Sequence, residues 1–212
     1  MNISWYGHRC VRIESKEGSA LIDPYDPKAV GLRGPVIKDD LVLLSAYEQP
    51  ASVLERINPD ALVVRGPGEY EMKGIAVRGI LAHQDSQQGK ELGLCAIWRI
   101  VADDISICHL GALGAEKLTD QQLEDIGDPD ILIIPVGGQS ALDPKAAAAL
   151  ATQIEPKIII PVQYAFSGAS YEAEKLEKFT KEIGLPVQKE ETLRIQRSKL
   201  PVDQTLLITL AA

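Results

Sequence analysis

Apolar and polar positions alternate at short period through the first half of the chain. Asn2 to Glu14 reads as a strand region broken at Tyr6-Gly7, and Ser19 to Ile22 as a second strand stopped by Asp23-Pro24. Leu41 to Leu44, Ala61 to Val64, Ile75 to Leu81, Leu94 to Val101 and Ile105 to His109 follow, separated by Gly, Asp and Pro. Several are apolar throughout, the pattern of strands covered on both faces. Gly66 to Glu71 reads as a solvated turn with Glu69 and Glu71 alternating along a hairpin arm.

The second half alternates strands with helices. Thr119 and Gln122 form a capping-box pattern for a helix that Gly127 closes. Asp143 caps and Pro144 opens an alanine-rich helix through Ile154. A third helix is predicted from Ser170 to about Ile183, and a short one over Ala51 to Ile57 behind Pro50. Ile131 to Val136, Ile158 to Val162, Leu193 to Gln196 and Thr205 to Thr209 read as strands. Strands that exit into Gly-, Pro- or polar-rich loops mark a site face, because ligands in such α/β sheets sit beyond the carboxyl ends of strands.

Composition narrows the function. Among 212 residues, 22 Lys and Arg face 30 Asp and Glu, a net charge of −8, with no clustered basic stripe, which argues against nucleic acid as a partner. No apolar run approaches the roughly 18 residues of a membrane span, and no leader is legible, so neither a membrane nor secretion is expected. Cys10, Cys95 and Cys108 are too far apart for a zinc knuckle or a disulfide framework, so a reducing cytoplasm is the expected compartment. His8, His83 and His109 lie in no chelating pair, and no nucleophile elbow, phosphate loop or dinucleotide fingerprint occurs.

Six motifs in order carry a resemblance. They are Trp5-Tyr6-Gly7-His8; Leu21-Ile22-Asp23-Pro24; the lone His83; Ile107-Cys108-His109-Leu110-Gly111; Ile133 to Gly138 followed by Asp143-Pro144; and Pro156 to Pro161. Together they resemble the metallo-β-lactamase fold over nearly the whole chain, in its compact branch that includes ascorbate-phosphate lactonase and related zinc-dependent hydrolases. The resemblance implies one domain over 1–212, an α/β four-layer αβ/βα sandwich of mixed sheets with outer helices. It also implies a pocket where His8, Asp23, Glu48, His83, His109, Gln163 and Tyr164 converge.

That family's T-H-x-H-x-D-H signature belongs after Leu41 to Leu44, where this chain has Ser45 to Ala51. Ala46, Glu48, Pro50 and Ala51 stand at the places of three histidines and an aspartate, Ala112 at the bridging aspartate and Gln163 at the final histidine. In this reading His83 alone keeps its identity. Ala and Pro donate nothing to a metal. The expectation is therefore a catalytically degenerate, metal-free protein with a binding or assembly role, no cofactor, a small-molecule ligand and a homo-oligomeric state. The alternative is a hydrolase of the lactone or phosphoester type, with one weakly bound zinc on a reduced site around His83 and Glu48.

Overall fold

A computed structural model describes residues 1–47, 49–139 and 141–212. The first sheet holds β1 (Asn2–Trp5), β2 (Val11–Glu14), β3 (Ser19–Ile22), β4 (Leu41–Leu43), β5 (Leu62–Val64) and β13 (Leu193–Arg194), in the order β13-β1-β2-β3-β4-β5. The second holds β6 (Gly68–Met72), β7 (Ile75–His83), β8 (Leu94–Ala102), β9 (Ile105–His109), β10 (Ile131–Pro135), β11 (Ile158–Val162), β12 (Val187–Glu190) and β14 (Leu206–Leu210). Its order is β12-β14-β11-β10-β9-β8-β7-β6. Both are mixed: β3, β4 and β5 run parallel, as do β9, β10, β11, β14 and β12, and antiparallel strands complete each sheet.

Alternation along the strands explains the layering. In β3, Ala20 and Ile22 enter the main core while Leu21 faces the other side; in β4, Leu41 and Leu43 enter it while Val42 faces away. The residues facing away join Tyr25, Val30 and Ile37 in a second apolar cluster, with Leu54 and Ile57 against it. That cluster seats α1 (Pro27–Val30) and α2 (Ala51–Leu54) on the outside of the first sheet. Ile131 to Ile134 are all fully buried, as expected of a strand covered on both faces, and α4 (Pro144–Ile154) packs on β10. With α3 (Asp120–Ile126) and α5 (Leu176–Ile183), the result is the expected four-layer αβ/βα sandwich. No helix among the described residues is long and apolar enough to cross a membrane.

Local signals account for most element ends. Thr119 and Gln122 close the expected capping box, and the Asp143 carboxylate accepts from the Lys145 N–H at 2.9 Å ahead of Pro144. The helix predicted from Ser170 begins only at Leu176. The Ser170 N–H instead donates to Val30 O at 2.7 Å and that of Glu174 to Gly137 O at 2.7 Å, so loop contacts use the backbone groups a helix would need. Past Leu54 the short helix tightens into i→i+3 bonds from Arg56 to Val53 and from Ile57 to Leu54, ending before its predicted limit. The hairpin arm becomes β6, while α1 and β12 have no counterpart among the predicted elements.

At the amino ends of β10 and β11, Asp130 gathers three donors: Ser106 N–H at 3.0 Å, Lys157 Nζ at 2.6 Å and Arg197 at 2.7 Å. The carboxylate is buried while its two cationic partners are largely solvated, which screens the pairs. Asp130→Ala is expected to lower stability by about 1–2 kcal/mol in urea unfolding, chiefly by orphaning the Ser106 N–H. An unchanged midpoint would contradict this role.

Candidate functional site

The carboxyl ends of the parallel strands converge. β3 ends at Asp23, β4 runs out through Leu44 to Ser45, β9 ends at His109 and β11 leads into Gln163. The Ser45 N–H donates to Asp23 Oδ1 at 2.7 Å, and its hydroxyl donates to Asp23 Oδ2. The Ser45 carbonyl accepts from Ala96 N–H at 2.8 Å, and Ala46 forms an isolated antiparallel bridge with Cys95. These contacts tie the first sheet to β8. Gly111, at φ +58°, completes the junction: a Cβ there would lie 2.6 Å from the Ala96 carbonyl oxygen, so only glycine lets the end of β9 close in.

Beside this junction lies a cleft of about 300 Å³ lined by His8, Arg9, Asp23, Tyr25, Asp26, Ala29, Ala46, Gln49 and Gln84, among others. The Arg9 side chain, 14% exposed, reaches across its floor. One terminal nitrogen donates to Gln163 Oε1 at 3.2 Å, while Nε lies 3.4 Å from Asp23 Oδ2 without forming a hydrogen bond. Asp23 is 4% and Gln163 2% exposed. His8, Asp23 and Gln163 all adopt left-handed backbone, at φ +49°, +46° and +54°, a conformation that non-glycine residues keep only where their surroundings enforce it. For His8 the enforcement is visible, because its carbonyl accepts from both Trp5 Nε1 and Gln163 N–H at 2.9 Å.

Both histidines here are neutral at pH 7. His8 meets Tyr25 and Tyr171 edge-on, and burial, then the Arg9 charge, pulls its pKa down to about 3. His109 is fully buried and pushed down to about 4, chiefly by desolvation. Its Nδ1 accepts from Gly111 N–H at 2.9 Å, so Nε2 carries the proton and donates to Arg9 O at 3.1 Å. A neutral imidazole held this way positions the Arg9 backbone.

Of the expected pocket, His8, Asp23, His109 and Gln163 come together around Arg9. Tyr164 does not line the cleft: its ring packs on Trp5 at 5.0 Å between centroids, and its carbonyl accepts from the Tyr171 hydroxyl at 3.0 Å. His83 lines a separate cavity of about 330 Å³ with Asp85, Glu116 and Lys117, whereas its neighbour Gln84 lines the cleft. Gln84 lies just past β7, where its carboxamide donates to the Leu92 and Leu94 carbonyls at 2.8 and 3.0 Å. Glu48 lies outside the described residues. Arg9 and Gln84 were not among the expected site residues. Nothing local marks Arg9, which the left-handed turn at Gly7-His8 delivers.

The donor set bears on a metal. Among the described residues, no three His, Cys, Asp or Glu side chains gather to hold one. In the cleft, both Asp23 oxygens are held by Ser45, and both His109 nitrogens are engaged. Ala46 and Ala112 are buried apolar residues. The described side chains therefore do not complete a metal site.

Residues 2–163 match the model of the β-lactamase superfamily domain. The chain belongs to that superfamily. Its relatives include a UPF0173 protein of Pyrococcus abyssi, 29% identical over 84% of this chain and 90% of the relative. A UPF0173 metal-dependent hydrolase of Methanopyrus kandleri is 24% identical over 89% and 95%. Among solved structures, a Thermotoga maritima protein assigned to the Zn-dependent hydrolases of the metallo-β-lactamase superfamily superposes with TM-score 0.80 at 25% identity, covering 99% of this chain and 98% of its own. These findings correct the expectation of a metal-free, degenerate binding protein without a cofactor. Relatives matching along most of the chain are named metal-dependent hydrolases, which favours the hydrolase alternative over it.

The two histidines set a pH dependence. Their folded pKa values lie below the unfolded value near 6.5, so their contribution is complete above pH 6.5 and is lost as pH falls towards 4. Between pH 6 and 4.5, above most carboxylate titrations, unfolding free energy is expected to fall by about 1.4 kcal/mol per pH unit for each histidine. Urea unfolding across this range checks it, and His109→Gln is expected to remove about one proton from the slope. A flat profile would contradict the neutral assignments.

Proposed function

We propose that the protein is a cytoplasmic hydrolase of the metallo-β-lactamase superfamily that opens a lactone or phosphoester bound in the Arg9–Asp23 cleft. The observation that carries the reading is the position of this polar cleft, at the carboxyl ends of β3 and β4 beside the Asp23–Ser45 junction. Support comes from relatives named metal-dependent hydrolases that match 77% to 89% of the chain. Those names also point to a metal, but the described side chains of the cleft do not complete a site for one, and His83 lines a separate cavity.

The chain's own side chains bind and orient. Arg9 offers its guanidinium to the cleft, His8 and Gln84 line it, Asp23 is held rigidly by Ser45, and Tyr25 and Val53 contribute apolar wall. Fixed groups around a bound ester reduce the entropy lost on orienting it.

The test is hydrolysis of γ-butyrolactone, p-nitrophenyl phosphate and bis(p-nitrophenyl) phosphate by full-length protein, with metal content measured on the same sample. Turnover of at least one probe is expected. Ala29→Trp, an exposed substitution at the cleft mouth, should lower it by about a hundredfold while leaving thermal stability unchanged. About one equivalent of zinc, lost with activity in His83→Ala, would support the reduced site. No turnover of any probe with Zn, Mn or Fe added would overturn the reading.

A further inference from the structure

We propose that Arg9 is the specificity residue of the cleft and that the ligand it selects carries an oxyanionic group, a carboxylate or a phosphate. This inference rests on the hydrolase reading for the identity of the reaction, but not for the binding itself.

The guanidinium offers five N–H donors in a planar fork. Among the described residues, one hydrogen bond uses them, to the neutral carboxamide oxygen of Gln163 at 3.2 Å. The Nε atom is buried, in ion-pair range of Asp23 Oδ2 at 3.4 Å but without a hydrogen bond. Asp23, the carboxylate beside it, is not free to turn: the Ser45 N–H holds one oxygen and the Ser45 hydroxyl the other. Asp26, nearer the rim, is likewise occupied by the Ser52 hydroxyl at 2.7 Å and Lys28 N–H at 2.9 Å. The amide group of Gln49 is turned to the Ala46 carbonyl at 3.1 Å.

Asp23 balances the Arg9 charge as an ion pair at 3.4 Å, yet most N–H donors of this side chain, 14% exposed, are unspent, and a charged acceptor would use them. The cleft is where that acceptor fits. Its volume of about 300 Å³ admits a carboxylate or phosphate with a small organic group, and the fork geometry suits two oxygens of either. The backbone is set in advance, because the Arg9 carbonyl is held by His109 and the preceding His8 carbonyl by Trp5 and Gln163. Little conformational entropy remains to be lost when an anion arrives.

The experiment uses the full chain in two arms. In the first, inorganic phosphate and acetate are titrated calorimetrically, with Trp5 fluorescence as a second readout because its indole donates to His8 O beside the cleft. Saturable binding of at least one anion is expected, weakened about ten- to a hundredfold in Arg9→Met and partly kept in Arg9→Lys, which retains charge without the fork. Tighter phosphate than acetate assigns a phosphate-bearing ligand, and the reverse a carboxylate. Equal affinity in wild type and Arg9→Met, or no saturation by either anion, overturns the proposal. Should Arg9→Met fail to fold, Arg9→Gln takes its place beside Arg9→Lys.

In the second arm, KM for an anionic ester is expected to rise about tenfold in Arg9→Met, with KM for a neutral ester unchanged. Anion binding that depends on Arg9 without turnover of any ester would overturn the hydrolase reading and leave this inference standing. Turnover indifferent to Arg9 would do the opposite.

Discussion

A buried carboxylate must have its oxygens satisfied, and Asp23 meets that requirement through a single residue, Ser45. Much of the molecule's arrangement depends on this grip. It fastens the ends of β3 and β4 side by side, and the Ser45 carbonyl and the Ala46–Cys95 bridge then dock them on β8 of the other sheet. Two sheets that share a core could slide on apolar contacts alone. Hydrogen bonds at their rim set one register, and they set it at the end where the cleft opens.

The two ends of the strands therefore have different characters. At the amino end, Asp130 collects Ser106, Lys157 and Arg197 in a network far from the cleft, and its role is to hold strands together. At the carboxyl end, left-handed backbone at His8, Asp23 and Gln163, two neutral imidazoles and a sparsely bonded guanidinium sit within one neighbourhood. Strained backbone and desolvated polar groups are costs that a fold retains at a working site.

Much of the architecture was legible in the residues. The alternation of Ala20, Leu21 and Ile22, the continuous apolar run Ile131 to Ile134, and the caps at Thr119 and Asp143 each report a local preference, and each element formed where expected. β12 was not legible, because its sequence Val187 to Glu190 has no apolar period and is held by parallel pairing with β14. The start of α5 was misplaced because the 170–175 stretch is bonded to α1 and to Gly137. Missing ligand residues were also read as missing chemistry, and the relatives named metal-dependent hydrolases overturned that step.

The amino-acid order alone determined the fold class and the strand ends beside which the cleft lies, since these follow from periodicity, turn residues and a family pattern. The tertiary structure decided that His83 lines a separate cavity and that Tyr164 turns into the core. It also decided that Arg9 reaches Gln163, 154 positions away. The physical reason is common to all three. Which way a side chain points at a strand end depends on the register and twist of pairings made elsewhere, and contacts between distant residues exist only once both sheets have closed.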